Sequence, residues 1–208
     1  MGSQKNRHFA DGMIEEVGQR VKNLGCHPRD IAWQPVYWAD ILESHETRLL
    51  STLSKNHSLS FTALREFVMR NLGDAVAYQR EPGALPDVYQ RIHARVREAI
   101  LKLRGTLGDR DAPLIVMAHS LGSYIMSNYV WDHQRPNSAT IPVVTPFERM
   151  QSLSTLITFG CNIALFSLAL AEYTGITFPS PELPQPLRDA ARWHNYLDPQ
   201  DILAYPIK

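Results

Sequence analysis

The residues best suited to covalent chemistry lie in the segment 118–122, Ala-His-Ser-Leu-Gly. An apolar run, 113–118, precedes Ser120, and a stretch with helical spacing of apolar residues follows it. This order matches the strand–turn–helix pattern G-x-S-x-G, here with alanine in the first glycine position, in which a sharp turn exposes the serine hydroxyl. Small residues are expected at Ala118 and Gly122, because larger side chains would clash with the neighbouring strand and helix. The pattern predicts Ser120 as a nucleophile; the alternative is a serine that only caps the helix.

A serine nucleophile needs donors for the oxyanion, a general base and a group that orients the base. The amide of Leu121 follows Ser120 at a helix N-terminus and is the predicted first donor. The eight histidines show neither H-x-x-x-H nor H-E-x-x-H spacing, so we expect no metal site and no cofactor. His119 adjoins the nucleophile, His194 precedes a candidate acid and His93 borders a helical apolar stripe. The others are expected to be solvated: His8, His27, His45, His57 and His133.

Apolar periodicity predicts alternating helices and strands, the order typical of an α/β protein with a doubly wound, mostly parallel sheet. The predicted helices are 9–24, ending at Gly25, two short ones at 39–53 and 60–71, a long one at 86–107, and 120–131. The predicted strands are 31–38, weakened by Pro35, a short one at 75–79, and then 113–118, 153–159 and 192–197. Continuous apolar runs such as 113–118 predict strands that are buried on both faces.

The segments AHSLGSYIMSNYVWD, LITFGCNIALF and WHNYLDPQDILAYPIK resemble bacterial α/β-hydrolases of the serine esterase and lipase type. They resemble the DDHD-type phospholipases more distantly. The resemblance covers nearly the whole chain and implies an α/β-hydrolase fold. It also implies a catalytic acid in a D-P-x-D pattern after a late strand. Asp201 matches the acid position in that pattern, and Asp198 is the fallback.

Relatives of this type also carry an H-G-x-G loop that donates a second oxyanion amide, and a catalytic histidine downstream of the acid. Met1 would fit directly after a missing His-Gly pair, so its amide is the predicted second donor; the alternative is that Met1-Gly2-Ser3 is an expression remnant. No histidine lies between Asp201 and Lys208, so the catalytic histidine is unknown. We therefore expect 1–208 to be a single domain that lacks the first strand or strands and the histidine-bearing segment.

Composition limits the classes of partner. Lys plus Arg and Asp plus Glu both number 21, which gives no sign of a nucleic-acid partner. Two distant cysteines and a polar N-terminus without an apolar leader favour a reducing, cytoplasmic setting. The most apolar window, 156–171, is interrupted by polar residues, so no transmembrane segment is expected.

These features together predict a serine hydrolase that acts on carboxylic esters, with lipid esters among the candidate substrates, and that needs no cofactor. An acyltransferase or a thioesterase would use the same residues. The remaining alternative is a non-catalytic interaction protein that retains the fold. The loop 132–150 and the two short helices after Trp38 are candidate lid segments, in which Phe147 and Met150 would offer apolar contacts; the alternative is ordinary surface packing.

Overall fold

The computed structural model describes residues 8–42, 52, 73, 77–78, 88–108, 110–135, 145–168 and 174–207. The chain divides into two compact units, Met1–Arg110 and Asp111–Lys208. Ser120, Leu121, Asp198 and Asp201 all belong to the second unit. The single-domain organisation expected for 1–208 stays a prediction.

The first unit opens with helix α1, Asp11–Asn23, as the apolar spacing predicted. Gly25 ends it with a φ of 81°, a left-handed conformation that favours glycine. Its amide donates to the Lys22 carbonyl at 3.0 Å, and the Cys26 amide donates to the Val21 carbonyl at 3.1 Å. This pair of bonds satisfies the last carbonyls of α1 and confirms Gly25 as its stop signal.

The long helix of the first unit, α2, spans Val88–Leu107 and confirms the predicted amphipathic pattern. One stripe of its side chains is buried, with Val88 and Ile92 fully so. His93 is also fully buried, and its Nε2 lies 2.6 Å from the Tyr78 hydroxyl oxygen. The stripe shows that one face of α2 contributes to the core of this unit, while its opposite face is exposed.

The strand predicted for 31–38 is wrong, because residues 32–38 have no regular secondary structure. Pro35 has no amide hydrogen to give to a strand ladder. The Tyr37 carbonyl accepts from Arg95 Nη1 at 2.7 Å, so a side chain bonds this backbone. Before it, Pro28–Asp30 forms one 3-10 turn.

The predicted short elements between Trp38 and α2 fall largely outside the described residues. Residues 40–42 and 52 of the first predicted helix are helical, and 60–71 lies outside the description entirely. Of the predicted strand 75–79 only residues 77 and 78 are described, and neither is in a strand.

The second unit alternates strands and helices. Its sheet contains β1, Leu114–His119, β2, Leu153–Phe159, and β3, Arg192–Tyr196, in the order β1-β2-β3 with both pairs parallel. The helices are α3, Leu121–His133, α4, Ile163–Ser167, and α5, Gln185–Ala190. Mixed helices and a three-stranded parallel sheet place the chain in the α/β class, and the predicted boundaries of all three strands hold to within a residue or two.

The burial of β1 differs from expectation. Leu114, Val116 and Ala118 are buried, whereas Ile115 is 55% exposed and His119 is also exposed. The continuous apolar run predicted burial on both faces, and this is wrong for the first strand. An apolar run shows that a strand is compatible with burial, but what covers each face is decided by tertiary structure.

The register of the sheet brings the three strand ends together. His119 is paired with Phe159, which is paired with Tyr196, and each is the last residue of its strand. Because the strands are parallel, the residues that follow them emerge at one edge. Ligands of open α/β sheets bind outside this carboxyl edge, where Ser120 and Gly160 lie.

A buried hydroxyl joins β2 to β3 just below that edge. Thr158 is fully buried and donates through Oγ1 to Asn195 Oδ1 at 2.8 Å. The same oxygen accepts from the Trp193 indole nitrogen at 3.1 Å. Asn195 Nδ2 in turn donates to the Tyr205 carbonyl at 3.0 Å, and the Tyr205 amide donates to the Cys161 carbonyl at 2.8 Å. The loop after β3 is thus fastened at its far end to the residues after β2.

The apolar contacts proposed for a lid have another role. Phe147 and Met150 are 7% and 2% exposed, so they belong to the core beneath the turn 145–150. They cannot offer apolar surface to a ligand, and the candidate lid loses its support; residues 136–144 lie outside the described part. No helix within the described ranges combines the length and the apolar composition needed to cross a bilayer.

We expect Thr158→Val to lower the free energy of unfolding by about 1–3 kcal/mol, because it removes the hydrogen-bond partner of the half-buried Trp193 and Asn195 side chains. Thr158→Ser is the matched control: it keeps the hydroxyl and loses one methyl group, for about 1 kcal/mol. Urea unfolding of the two variants measures the difference. A Thr158→Val protein as stable as the serine variant would show that the hydroxyl does not join the strands.

Candidate active site

Ser120 occupies a turn with a rare backbone conformation. It lies between the last residue of β1 and the first of α3, with φ 52° and ψ −126°. L-amino acids with a side chain seldom adopt this region, which costs of order 1–3 kcal/mol and occurs mainly at functional sites. The Ser120 amide donates to the Phe159 carbonyl at 3.0 Å, and its carbonyl accepts from the Ser123 amide at 2.9 Å. The turn is therefore held from β2 and from the first turn of α3.

The two small residues around Ser120 differ in their surroundings. Ala118 is buried at the end of β1, and its carbonyl accepts from the Ser123 hydroxyl at 3.2 Å. Beyond its chain neighbours and the α3 backbone, no atom of the described residues lies within 4 Å of the position that a Cβ on Gly122 would take. A methyl group would therefore meet no clash among these residues.

Leu121 is the first residue of α3, and its side chain is buried. Within the described ranges its amide donates to no backbone acceptor, as expected for the first turn of a helix. That N–H, beside the nucleophile, is free to face an oxyanion. Met1, the predicted second donor, lies outside the described residues.

Asp201 lies on the loop after β3 that is fastened through Tyr205. Its Oδ1 accepts from the Leu203 amide at 3.0 Å, so one carboxylate oxygen is held by the loop itself. Its amide donates to the Asp198 carbonyl at 2.9 Å. The carboxylate is half-buried, and the other oxygen, Oδ2, lies near Gly160 at the end of β2. Asp201 therefore returns to the edge that carries Ser120.

Asp198, the fallback acid, has the features of a turn residue. Its Oδ1 accepts from the Gln200 amide at 2.9 Å, and its side chain is exposed. This side-chain-to-backbone bond is the usual way in which aspartate fixes a turn. The geometry favours Asp201 over Asp198 as the acid, although the role of either residue stays a prediction.

His119 faces Asp201 across Gly160. A Cβ on Gly160 would lie 3.2 Å from His119 Nε2 and 3.4 Å from Asp201 Oδ2. The imidazole stacks on Phe159, with ring centroids 5.1 Å apart and an interplanar angle of 28°. Although the residue as a whole is exposed, partial burial of its ring lowers the pKa of His119 below its ordinary value, and the Asp201 carboxylate opposes that change. The sequence identified His119 only as the neighbour of the nucleophile, and its approach to Asp201 comes from the structure.

The other two histidines of the second unit, His133 and His194, have different partners. His194 is exposed on β3, and its ring stacks on Tyr196 with centroids 6.2 Å apart. His133 was expected to be solvated, but it is buried within α3 and its Nδ1 lies 2.7 Å from the Tyr129 carbonyl. His45 and His57 lie outside the described residues. No histidine in the described ranges is hydrogen-bonded to Ser120, so the predicted base is still unassigned.

Cys161, the cysteine of the second unit, is a poor candidate nucleophile. Burial raises the pKa of the fully buried Cys161 thiol, which keeps it protonated and a poor nucleophile. Cys26 is exposed in the first unit. Among the residues that the structure covers, no three His, Cys, Asp or Glu side chains converge as metal ligands would.

Comparison with known proteins adds no assignment to this geometry. The chain matches no protein-family model, and neither the curated proteins nor the solved structures include a significant match.

We expect Ser120→Gly to be more stable than Ser120→Ala by about 1 kcal/mol, since only glycine adopts this turn without strain. Ser127, within α3, is the matched control position. There the order should reverse by a similar amount, because glycine weakens a helix interior. Thermal or urea unfolding of the four variants tests the turn geometry without any assay of activity. The same order at both positions would contradict the strained turn.

His119 should also give stability a pH dependence. Its pKa in the folded chain lies below the ordinary 6.5 of an unfolded chain, so the unfolded state binds the proton more tightly. Stability is therefore lost as pH falls through the ordinary pKa towards the folded one. We expect His119→Gln to remove this loss, so that its stability relative to wild type rises between about pH 7 and pH 5. A constant difference across that range would refute the lowered pKa.

Proposed function

We propose that this chain is a serine hydrolase with a doubly wound α/β-hydrolase fold, which cleaves carboxylic esters through an acyl-enzyme at Ser120. One observation carries the proposal: the strained conformation of Ser120, at a turn between a parallel strand and a helix. A residue that only capped α3 would need no such strain, and no side-chain cap bond is formed by Ser120.

The chemistry would run in two steps. A histidine accepts the Ser120 hydroxyl proton while Oγ attacks the ester carbonyl, and the Leu121 amide stabilises the oxyanion. The bond to the alcohol then breaks, and the imidazolium returns the proton to the departing oxygen. Water, deprotonated by the same histidine, then attacks the acyl-enzyme carbonyl. The bond to Oγ breaks, the proton returns to Ser120, and the carboxylic acid is released.

In this scheme Asp201 orients the base and stabilises its charged form. Support comes from its place at the carboxyl edge, from the hydrogen bond that fixes Oδ1, and from the network that fastens its loop to β2. The second oxyanion donor, predicted as Met1, stays a prediction. No cofactor takes part in the proposed reaction, and the substrate is a small-molecule or lipid ester rather than a nucleic acid. The two unpaired cysteines support a cytoplasmic setting.

A non-catalytic interaction protein is the second candidate. The observation in its favour is that no histidine in the described part of the chain hydrogen-bonds Ser120. An acyltransferase or thioesterase would share the first step and differ only in the acyl acceptor or donor. Product analysis with water, an alcohol or a thiol as acceptor separates these activities.

We expect a fluorophosphonate to add once to the wild-type chain, because an activated Ser120 displaces the fluoride from phosphorus. Intact-mass spectrometry should show this adduct on wild type and on Ser127→Ala, the matched serine control, but not on Ser120→Ala. Hydrolysis of a p-nitrophenyl ester should fall at least about 10³-fold in Ser120→Ala. An unlabelled wild-type chain, or equal labelling of wild type and Ser120→Ala, would reject the proposal in favour of the non-catalytic alternative.

A further inference from the structure

The space over Gly160 lies between two polar groups from different segments. His119 reaches it from the end of β1, and Asp201 reaches it from the loop after β3. Gly160 itself is tied to β3, because its amide donates to the Tyr196 carbonyl at 3.1 Å. The glycine thus forms the floor between an imidazole and a carboxylate.

Glycine is required at this floor for two independent reasons. Its φ of 57° is left-handed, so any side chain there would be strained. A Cβ would also lie 3.2 Å from His119 Nε2, which is closer than most side-chain carbons approach, and 3.4 Å from Asp201 Oδ2, which is van der Waals contact. Any larger residue would therefore stand between the two groups and drive them apart.

Each group is already held on its other side. The His119 ring lies against Phe159, which sets the plane of the imidazole. Asp201 Oδ1 accepts from the Leu203 amide, and Oδ2 lies over Gly160 on the same side as His119 Nε2. No direct hydrogen bond joins His119 and Asp201 in the described part of the chain; hydrogen bonds within catalytic groups are often long before substrate binds and shorten afterwards.

We propose that His119 is a positioning residue, whose Nε2–H holds Oδ2 of Asp201 in place across Gly160 while Asp201 supports the general base. This inference rests on the proposed function, because it assigns His119 to the acid rather than to the nucleophile. The proton of Ser120 passes to a different imidazole. His119 would act through the carboxylate and would touch neither substrate nor reacting atoms.

The alternative role for His119 is that of the base itself, and a pair of variants separates the two. Glutamine can still donate a hydrogen bond to a carboxylate but cannot accept a proton at neutral pH. Phenylalanine keeps the stacking on Phe159 and loses the donor. A positioning residue should be rescued by glutamine and not by phenylalanine, whereas a base would be rescued by neither.

The first experiment measures fluorophosphonate labelling rates of the full chain. We expect His119→Gln to react within about threefold of wild type and His119→Phe at least about tenfold more slowly, since small misplacements of catalytic groups are costly. The control is His194→Phe, which replaces an exposed histidine of β3 outside this pair of residues and should react at the wild-type rate. Equal rates for His119→Phe and wild type, or a His119→Gln variant as slow as His119→Phe, would overturn the proposal.

The second experiment does not depend on activity. In a Ser120→Ala background, the pKa of His119 is followed by NMR of its Cε1 proton. Because the Asp201 carboxylate raises this pKa, Asp201→Asn should lower it further, and Gly160→Ala should do so by separating the pair. Gly122→Ala, whose methyl group would contact no described residue outside α3 and its chain neighbours, is the matched glycine control and should leave the pKa unchanged.

The two experiments fail in different ways. If wild type is not labelled, the proposed function falls, and the NMR titration alone decides whether His119 and Asp201 are coupled. If labelling occurs but Asp201→Asn leaves the pKa of His119 unchanged, the positioning role falls while the proposed function stands.

Discussion

The parallel register that ends three strands at one level is the constraint on which the rest of the site depends. His119, Phe159 and Tyr196 are register partners and each closes its strand. Ser120 and Gly160 follow directly, so the nucleophile candidate and the glycine floor are neighbours through backbone pairing alone. The Ser120 amide continues this pairing by donating to the Phe159 carbonyl, as does the Gly160 amide to the Tyr196 carbonyl. If β1 slipped by one residue against β2, His119 would turn to the opposite face of the sheet.

The elements of this unit were predictable because their signals are local. Short apolar runs bounded by turn residues located β1 and β2, and the small-x-Ser-x-Gly pattern located the turn at Ser120. The strand predicted at 31–38 was wrong, although its aromatic and β-branched residues favour a strand. Pro35 lacks the amide hydrogen that a strand ladder needs, and the Tyr37 carbonyl is bonded by the Arg95 side chain instead of a neighbouring strand. Burial of β1 on one face was equally hidden, since an apolar run does not show what covers it.

The pairing of His119 with Asp201 could not be read from the sequence for a different reason. The two residues are distant in the chain, and their approach depends on a gap created by an absent side chain. Gly160 was visible only as the end of a predicted strand; its left-handed φ and its two polar neighbours come from tertiary structure. The D-P-x-D pattern offered two acids, and the distinction between them comes from geometry: Asp198 bonds its own turn, while Asp201 has one oxygen left for the edge.

Backbone strain and well-formed side-chain hydrogen bonds occur at different places near the carboxyl edge of the sheet. Ser120 has a strained backbone at the position where it would react. The polar side chains below it, by contrast, are hydrogen-bonded to one another: Thr158 bonds both Trp193 and Asn195, and Asn195 also donates to the Tyr205 carbonyl. A strained turn persists only where its surroundings leave it no alternative. The bonds from Phe159 and Ser123 to the Ser120 backbone supply that restriction directly. The buried hydroxyl network supplies it indirectly, because it fixes β2 against β3 and thereby the carbonyl that holds the Ser120 amide. The position of the nucleophile candidate therefore depends on residues that have no chemistry of their own.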